Sequence, residues 1–391
     1  MRTVSTVKKT KLKPSQPKTT KRTAIRRAKV APRVRMLLTC VGRRVELINA
    51  FRRAADGAGI DLTIFGSDIN WLAPGMHCVD KGVIVQPIRT GRYIDELLEV
   101  VRRNRINLIV PTIDTELPLL AAAVERFAEL RCRAVISSAR VVDICRDKLE
   151  TFRVLSGAGV DVPRTLTWAD ALAAADHQFP LFMKPRFGSA GVGSSVINDR
   201  AELETLGKRV GEPIVQEFVA GVEHTMDVYT GLDGVPRCIV PRRRLEVRTG
   251  EVSKGLIVKN AEIMAAGRRV TEVLGECRGV VTVQCIVQAD GRIRTIEINP
   301  RFGGGAPLAI HAGADFPRWL LLEHLGRKVR INPTAFADDM LMLRYDESVF
   351  VKSASKLQAE MSKSRKVEKS KQRQQATGNR QRSRSKYRPV Q

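Results

Sequence analysis

The stretch VTVQCIVQADGRIRTIEINPR, residues 281–301, decides the fold of this chain. Its Asp-Gly pair at residues 290–291 lies between two strand-like runs, which predicts an antiparallel β-hairpin. Glu297 and Asn299 are two positions apart and share one face of the second strand, and the hairpin brings Gln284 within reach of them. A carboxylate and two amide oxygens at this spacing suit Mg²⁺. An exposed polar strand face explains the same spacing equally well.

A second informative segment is KPRFGSAGVGS, residues 184–194. Glycines permit positive φ angles and leave backbone N–H groups free to contact phosphate oxygens. The segment is not a Walker A loop, because Lys184 precedes the glycines instead of following them, and it does not fit G-x-G-x-x-G. It predicts a phosphate-binding loop, with a merely flexible hairpin as the alternative.

Around these segments the chain divides into two halves at about residue 146. Residues 36–146 alternate continuous apolar runs with helical patterns, including helices expected at residues 45–58 and 117–127. This alternation predicts a small parallel sheet covered on both faces. Residues 147–351 contain many short strands and two Asp-Gly hairpin signals, which predicts an antiparallel α+β arrangement.

The net charge of +26 is concentrated at the two ends of the chain. Residues 1–35 contain 13 basic and no acidic side chains, and residues 352–391 contain 13 basic and two acidic ones. Residues 36–351 therefore carry a net charge of only +2. A large positive charge is typical of nucleic-acid-binding proteins. Here it predicts two disordered basic tails attached to a nearly neutral folded core.

The composition also indicates where in the cell the protein is expected. No apolar run approaches the roughly 18 residues that span a bilayer, so we expect no membrane contact. The N-terminus lacks the apolar core of a secretory signal, although its basic, acid-free composition also fits a transit peptide. The seven cysteines are scattered without a C-x-x-C pair, which favours reduced thiols in the cytoplasm over disulfides or a zinc site.

Taken in chain order, KPRFGSAGVGS, QEFV at residues 216–219, VTVQCIV, and IEINPR followed by FGGG resemble the ATP-grasp superfamily. The resemblance covers residues 36–351 and is strongest to the branch of the carbamoyl phosphate synthetase large subunit and similar carboxylate–amine ligases. It implies an α/β (α+β) fold. A Rossmann-like pre-ATP-grasp domain over residues 36–146 would precede a two-lobed ATP-grasp domain over residues 147–351.

The resemblance also implies roles for individual residues, with ATP and Mg²⁺, or alternatively Mn²⁺, as cofactors. The nucleotide would contact ten residues: Lys148, Lys184, Gly188, Ser189, Gly191, Gly193, Glu217, Phe218, Val219 and Glu223. The metal ion would be held by Gln284, Glu297 and Asn299, and the catalytic residues would be Arg301, Lys184 and Arg248. Many members of the family have an acid where this chain has Gln284, so the metal site has one negative charge fewer.

Two further sets of polar residues leave alternatives open. Arg248 and Lys254 belong to a charge-dense segment that either binds phosphate or the acceptor carboxylate, or forms a solvated strand edge. Thr112, Asp114 and Glu116 follow a strand of the parallel sheet, where ligands often bind. They either recognise a substrate amine or cap the next helix.

Together these patterns predict an ADP-forming ligase that activates a small carboxylate as an acyl phosphate for attack by an amine. No glutaminase half is recognisable, so the nitrogen would come from free ammonia, an amino acid or a partner protein. The alternative is a nucleic-acid-associated or scaffold protein, with basic tails that contact nucleic acid nonspecifically and an inactive or nucleotide-sensing core. The sequence leaves the oligomeric state open.

Overall fold

The computed structural model describes residues 31–174, 177–188 and 191–352. Most of both predicted tails and two residues of the predicted loop, Ser189 and Ala190, therefore lie outside the described residues. The first strand starts at Arg33, three residues before the expected start of the core, because Val34 is fully buried and Arg33 pairs with Asp61 at 2.9 Å. The described residues beyond Ala31 belong to one compact unit.

The first half contains a five-stranded sheet in the order β3-β2-β1-β4-β5, and all of its pairings are parallel, as predicted. Its strands are β1 (Arg33–Leu38), β2 (Asp61–Asp68), β3 (Lys81–Ile84), β4 (Leu108–Val110) and β5 (Arg133–Ala134). The helices around it are α1 (Val45–Ala58), α2 (Gly75–Cys78), α3 (Tyr93–Asn104), α4 (Leu117–Ala122) and α5 (Val124–Glu129).

Helix α1 has the predicted bounds. It buries Leu47, Ile48 and Phe51 against the sheet and ends at Gly59, whose positive φ of 62° gives a left-handed C-cap. The helix expected over residues 117–127 is instead two helices, α4 and α5. The chain leaves helical geometry at Ala123, where the N–H donates to the Leu120 carbonyl three residues back.

The second half contains two antiparallel sheets, which confirms the predicted change of architecture. A four-stranded sheet has the order β6-β9-β7-β8, with β6 (Thr165–Thr167), β7 (Leu181–Pro185), β8 (Ser195–Ile197) and β9 (Pro213–Glu217). Its helices are α8 (Trp168–Ala173) and α9 (Arg200–Gly207), and α6 (Ala139–Arg146) and α7 (Lys148–Gly157) precede it. The side chain of Asp147 caps α7 by accepting from the N–H groups of Leu149 and Glu150.

The larger sheet has six strands in the order β14-β13-β10-β11-β12-β15. These are β10 (Val222–Gly231), β11 (Cys238–Arg248), β12 (Glu251–Ile257), β13 (Gly279–Val287), β14 (Ile293–Asn299) and β15 (Leu341–Leu343). Its helices are α10 (Ala261–Leu274), α11 (Ala306–His311) and α12 (Phe316–His324). Both Asp-Gly pairs form the predicted hairpins, β10–β11 and β13–β14.

A buried ion pair crosses the centre of the six-stranded sheet. Arg242 Nε lies 2.7 Å from Asp227 Oδ2, and both side chains are almost fully buried. Gly303 and Gly305 follow β14 and pass so close to the Arg242 guanidinium that an added Cβ would contact it. The FGGG sequence is therefore required by packing against this ion pair.

The seven cysteines form no disulfide bond with one another. Burial raises the thiol pKa of all seven, to about 12 for four of them, Cys132, Cys238, Cys277 and Cys285. None of the helices in the described ranges is long and apolar enough to cross a membrane.

Candidate functional site

A cavity of about 840 Å³ is bordered by residues from all three sheets. We call it the central cavity. It receives Asp114 from the loop after β4, Lys184 from β7, and Glu297 from β14. The site is thus formed mainly by the two antiparallel sheets, and a loop at the carboxyl end of the parallel sheet contributes to it. Ligands often bind at this end of a parallel sheet.

Two lysines lie on one side of this cavity. Lys148 Nζ donates to the Gly188 carbonyl at 2.7 Å, and Lys184 Nζ donates to the Ile296 carbonyl at 3.2 Å. Burial lowers the pKa of Lys184 to about 8, against the attraction of Glu297, and the nearby Lys148 lowers it further. Burial also lowers the pKa of Lys148, and Glu297 opposes this shift. One buried and one half-buried cation near one carboxylate form a site suited to a polyanion.

The glycine-rich segment connects β7 to β8. Gly188, Gly191 and Gly193 have φ angles of 112°, 68° and 76°, a region that side-chain-bearing residues rarely adopt. Gly188 and Gly191 line the central cavity, whereas Gly193 packs beside Pro185 and is not among the lining residues. The segment has the backbone geometry of a loop that turns N–H groups toward a ligand.

Glu217, Phe218 and Val219 line the opposite wall. The Glu217 carboxylate accepts from Arg294 at 2.7 Å and from the Arg164 N–H at 3.1 Å, so its side chain fixes the wall. Phe218 is 42% exposed and Val219 is buried. Together they form an apolar edge beside a fixed stretch of backbone.

The β13–β14 hairpin places Gln284 directly opposite Glu297, as its Asp-Gly turn predicts. The Gln284 amide donates to Glu223 Oε1 at 2.9 Å, and Glu223 also pairs with Arg244 at 3.2 Å. The Asn299 amide satisfies its neighbours when its nitrogen donates to Asp114 Oδ1 at 3.0 Å. Its oxygen then occupies the position 3.3 Å from Gln284 Oε1.

These contacts fit a hard cation. With the Asn299 oxygen turned toward Gln284, two amide oxygens lie 3.3 Å apart, and the Glu297 carboxylate is on the same strand face as Asn299. This donor set matches Mg²⁺, which accepts carboxylate and amide oxygens and completes its shell with water and phosphate. The described residues contain no group of three or more His, Cys, Asp or Glu side chains able to hold a metal. A metal here would therefore depend on the amides.

Arg301 lies next to this oxygen cluster. One of its terminal nitrogens, Nη2, is 2.5 Å from Asp114 Oδ2, and its buried Nε has no hydrogen-bond partner in the described part of the chain. The buried Nε of Arg244 also has no partner within the described residues. Both arginines line the central cavity, and guanidinium groups at such a site suit an anionic ligand.

Arg248 is placed differently from the expectation. It does not line the central cavity, its side chain is 63% exposed, and its nearest acid is Glu246 at 3.8 Å. The pairing of β11 with β12 shifts register twice between Arg244 and Val247, and these shifts turn Arg248 away while Arg244 faces inward. Lys254 likewise pairs with Glu246 at the exposed edge. Arg244 is the cavity residue that the sequence analysis missed in this segment.

A second group of residues that the sequence analysis missed connects the glycines at residues 303–305 to the parallel sheet. Arg44, in the turn after β1, pairs with Glu251 at 3.0 Å, and Glu251 also contacts Arg344 at 3.2 Å. Gly304 passes this pair so closely that an added Cβ would lie 2.9 Å from the Glu251 carboxyl carbon. The Gly42-Arg43-Arg44 turn at a strand end was the available signal for Arg44.

Thr112, Asp114 and Glu116 were possible contacts for a substrate amine, and the structure gives them two different roles. Thr112 is buried and donates to the Thr39 and Cys40 carbonyls, and Glu116 is buried and accepts from Tyr93 and the Thr112 N–H. Burial raises the pKa of Glu116. These two hold the loop in place, and Asp114 faces the cavity.

The fold and the site define a class of protein. Residues 145–305 match the ATP-grasp domain family, and residues 36–135 match the PylC-like N-terminal domain family. The chain therefore contains an ATP-grasp domain preceded by a PylC-like N-terminal domain, which confirms the resemblance seen in its motifs.

Curated relatives and solved structures agree with this assignment. The chain is 27% identical over 259 residues to a formate-dependent phosphoribosylglycinamide formyltransferase of Ignicoccus hospitalis, covering 59% of this chain and 61% of that one. It is 24% identical to a carbamoyl phosphate synthase large chain of Vibrio vulnificus, covering 55% of this chain and 22% of that one. The chain thus spans less than two thirds of either relative.

Among solved structures, the biotin carboxylase domain of the Hydrogenobacter thermophilus 2-oxoglutarate carboxylase has a similar fold. The TM-score is 0.63 at 15% identity, covering 78% of this chain and 73% of that one. That structure contains MgADP, ADP and bicarbonate. At this identity the likeness establishes the fold.

Proposed function

We propose that this protein is an ADP-forming carbon–nitrogen ligase that uses ATP and Mg²⁺ to activate a small carboxylate for attack by an amine. The observation that supports it most is the central cavity. There Lys148 and Lys184 lie near Glu297, and Arg301 and Arg244 also line the cavity. The names of the relatives add support, since formate and carbamoyl phosphate are small carboxyl compounds.

The nucleotide binds with its phosphates toward the lysines and the glycine-rich segment. The adenine lies against Phe218 and Val219, and Glu223 accepts hydrogen bonds from the ribose hydroxyls. Gln284, Glu297 and Asn299 hold Mg²⁺, which neutralises phosphate charge when it is bound. Ser189 and Gly193 complete the loop in this proposal.

The chemical step needs few protein groups. The substrate carboxylate attacks the γ-phosphate, ADP leaves, and the resulting acyl phosphate loses inorganic phosphate when the amine attacks its carbonyl carbon. Lys184 and Arg301 stabilise the negative charge that spreads over the transferred phosphoryl oxygens. Arg301 is held for this task by Asp114, which comes from the parallel sheet.

The proposal is tested by ADP release. The full-length chain with ATP, Mg²⁺ and pooled carboxylates and amines is expected to release ADP and phosphate only when both substrates are present. Glu297→Gln is expected to abolish release while thermal unfolding stays close to wild type. The matched variant Glu204→Gln, at an exposed position on α9, should retain activity. Undiminished turnover by Glu297→Gln would contradict the proposed metal site, and absence of release with every pool would contradict the ligase.

A second candidate activity rests on the basic ends of the chain. We infer that residues 1–35 and 352–391, with 26 basic and two acidic side chains, bind nucleic acid nonspecifically in the cytoplasm. Binding should weaken steeply as salt rises from 50 to 200 mM, by about 10³-fold for six contacts. Residues 31–352 alone should lose it, and equal binding by this shortened chain would contradict the role of the tails.

A further inference from the structure

A second cavity, of about 510 Å³, lies at the opposite end of the parallel sheet. We call it the distal cavity. Asn107, just before β4, and Arg133, the first residue of β5, mark the amino ends of these strands. The central cavity lies at the other end of β4, where Thr112 and Asp114 follow the strand. The two cavities are therefore separated by the length of a three-residue strand.

The distal cavity is basic. Arg131, Arg133 and Arg278 line it together with His324, and its lining residues include no aspartate or glutamate. None of the three guanidinium groups pairs with a carboxylate in the described part of the chain, whereas many other arginines do. All three arginines are exposed around one concave surface, so an anion bound there would be attracted by all three.

His324 adds a polar group to this surface. Burial and the nearby Arg133 lower its pKa to about 4, so the imidazole is neutral at physiological pH. Its buried Nδ1 has no hydrogen-bond partner within the described residues. The ring therefore adds an uncharged polar side chain to the lining beside the arginines.

One wall of the distal cavity is apolar. Val124 and Ala128 are one turn apart on α5 and face it together, and Leu232 faces it from the end of β10. Sites for small organic ligands usually combine such a wall with a few convergent polar groups, in volumes of roughly 300–1,000 Å³. An inorganic anion alone would leave this wall without a contact.

We propose that the distal cavity binds a small organic phosphate, with the phosphate held by Arg131, Arg133 and Arg278 and the carbon skeleton against the α5 wall. Guanidinium groups suit this ligand because their planar donors match phosphate oxygens. The proposed ligase activity neither requires nor supplies this second site.

The distal cavity is connected to the central cavity by strands that both cavities share. Leu232 follows β10, whose first residues include Glu223, and Arg278 precedes β13, which carries Gln284. A ligand in the distal cavity would thus lie beside the far ends of β4, β10 and β13, and all three strands lead to the central cavity.

The experiment measures binding of ribose 5-phosphate and of inorganic phosphate to the full-length protein by calorimetry at low salt. The double variant Arg133→Gln/Arg278→Gln is expected to bind ribose 5-phosphate at least about tenfold more weakly, because two charge-assisted bonds are lost. Both positions are exposed, so the fold should persist. Arg131→Gln, a single change at a third exposed position, should weaken binding as well.

Two matched variants separate this site from the rest of the chain. Arg126 lies on α5, the helix that forms the apolar wall, and its side chain pairs with Asp95. Arg126→Gln should therefore bind ribose 5-phosphate as wild type does. Lys184→Met, which alters the central cavity, should retain ribose 5-phosphate binding even if ligase activity is absent. The proposal is overturned if the double variant binds within twofold of wild type, if Lys184→Met abolishes binding, or if inorganic phosphate binds as tightly as ribose 5-phosphate.

Discussion

Asp114 and Arg301 are 187 residues apart in the chain, and their side chains meet at 2.5 Å in the central cavity. Asp114 belongs to the loop after a strand of the parallel sheet, and Arg301 follows the last strand of the β13–β14 hairpin. The same Asp114 carboxylate also accepts from the Asn299 amide. One carboxylate from the first half thus orients two side chains that the ligase proposal assigns to phosphate and metal.

The first prediction concerns this contact. Arg301→Lys should lower kcat by about 10²-fold, because an ammonium cannot bond to Asp114 and to a transferred phosphoryl group at once. Asp114→Asn should lower kcat less, since it weakens the orientation of Arg301 without removing it. Arg200→Lys, in an exposed pair with Glu204, is the control and should change neither kcat nor KM. Equal kcat values for Arg301→Lys and wild type would contradict the role of Arg301.

The second prediction concerns Gln284. In Gln284→Glu, a carboxylate replaces the amide that donates to Glu223 at 2.9 Å, so two like charges come into contact. Without divalent cations the free energy of unfolding should fall by about 1 kcal/mol, and Mg²⁺ should stabilise the variant more than wild type. Thermal unfolding in EDTA and in Mg²⁺, at matched ionic strength, measures both effects. An equal shift by Mg²⁺ in the two proteins would contradict metal binding at residue 284.

The third prediction concerns pH. The folded protein lowers the pKa of Lys184 from 10.5 to about 8, so between these values the unfolded chain holds a proton that the folded chain has released. The contribution of Lys184 to stability is therefore unfavourable below pH 8 and improves as pH rises toward 10.5. ATP binding requires the charged form and should weaken about tenfold between pH 7 and 9.5.

Lys184→Met supplies the control for this pH dependence. It should bind ATP weakly at every pH, with little further loss above pH 8. Lys148→Met should bind weakly too but retain the fall, moved to a higher pH because Lys148 no longer lowers the pKa of Lys184. A wild-type affinity that stays constant from pH 7 to 9.5 would contradict the assignment of Lys184 to the phosphates.

The fourth prediction concerns the glycine run after β14. Gly305→Ala places a methyl group against the guanidinium of Arg242, whose pair with Asp227 is almost fully buried. The free energy of unfolding should fall by about 3 kcal/mol or more, because a disturbed buried ion pair leaves an uncompensated charge. Gly157→Ala, where an added Cβ meets nothing within 4 Å, should change stability by less than about 1 kcal/mol. Denaturant unfolding compares the two, and similar stabilities would contradict the packing argument.

The sequence predicted what depends on short-range pattern. An Asp-Gly turn and a two-residue period were sufficient to place Gln284 opposite Glu297 and to put Glu297 and Asn299 on one face. Continuous apolar runs were sufficient for the parallel sheet. These features are set by local geometry, so they can be predicted from the amino-acid sequence.

Other parts of the site depend on tertiary geometry that leaves no sequence pattern. Arg244 and Arg248 are four residues apart and would share a face of a regular strand, but two register shifts in β11 separate them. Asp114 and Glu116 look alike as residues that follow a strand. Only the buried contact of Glu116 with Tyr93 shows that Glu116 holds the loop while Asp114 faces the cavity. The break at Ala123 likewise lacks a glycine or proline signal.

The raised thiol pKa values have a practical consequence for labelling. All seven native cysteines hold their protons more tightly than a free thiol does, so at neutral pH few thiolates are available to react with a maleimide. A cysteine introduced at Val192, which is 76% exposed beside the glycine-rich segment, would react first. A fluorophore attached there would report ligand binding in the central cavity without removal of any native cysteine.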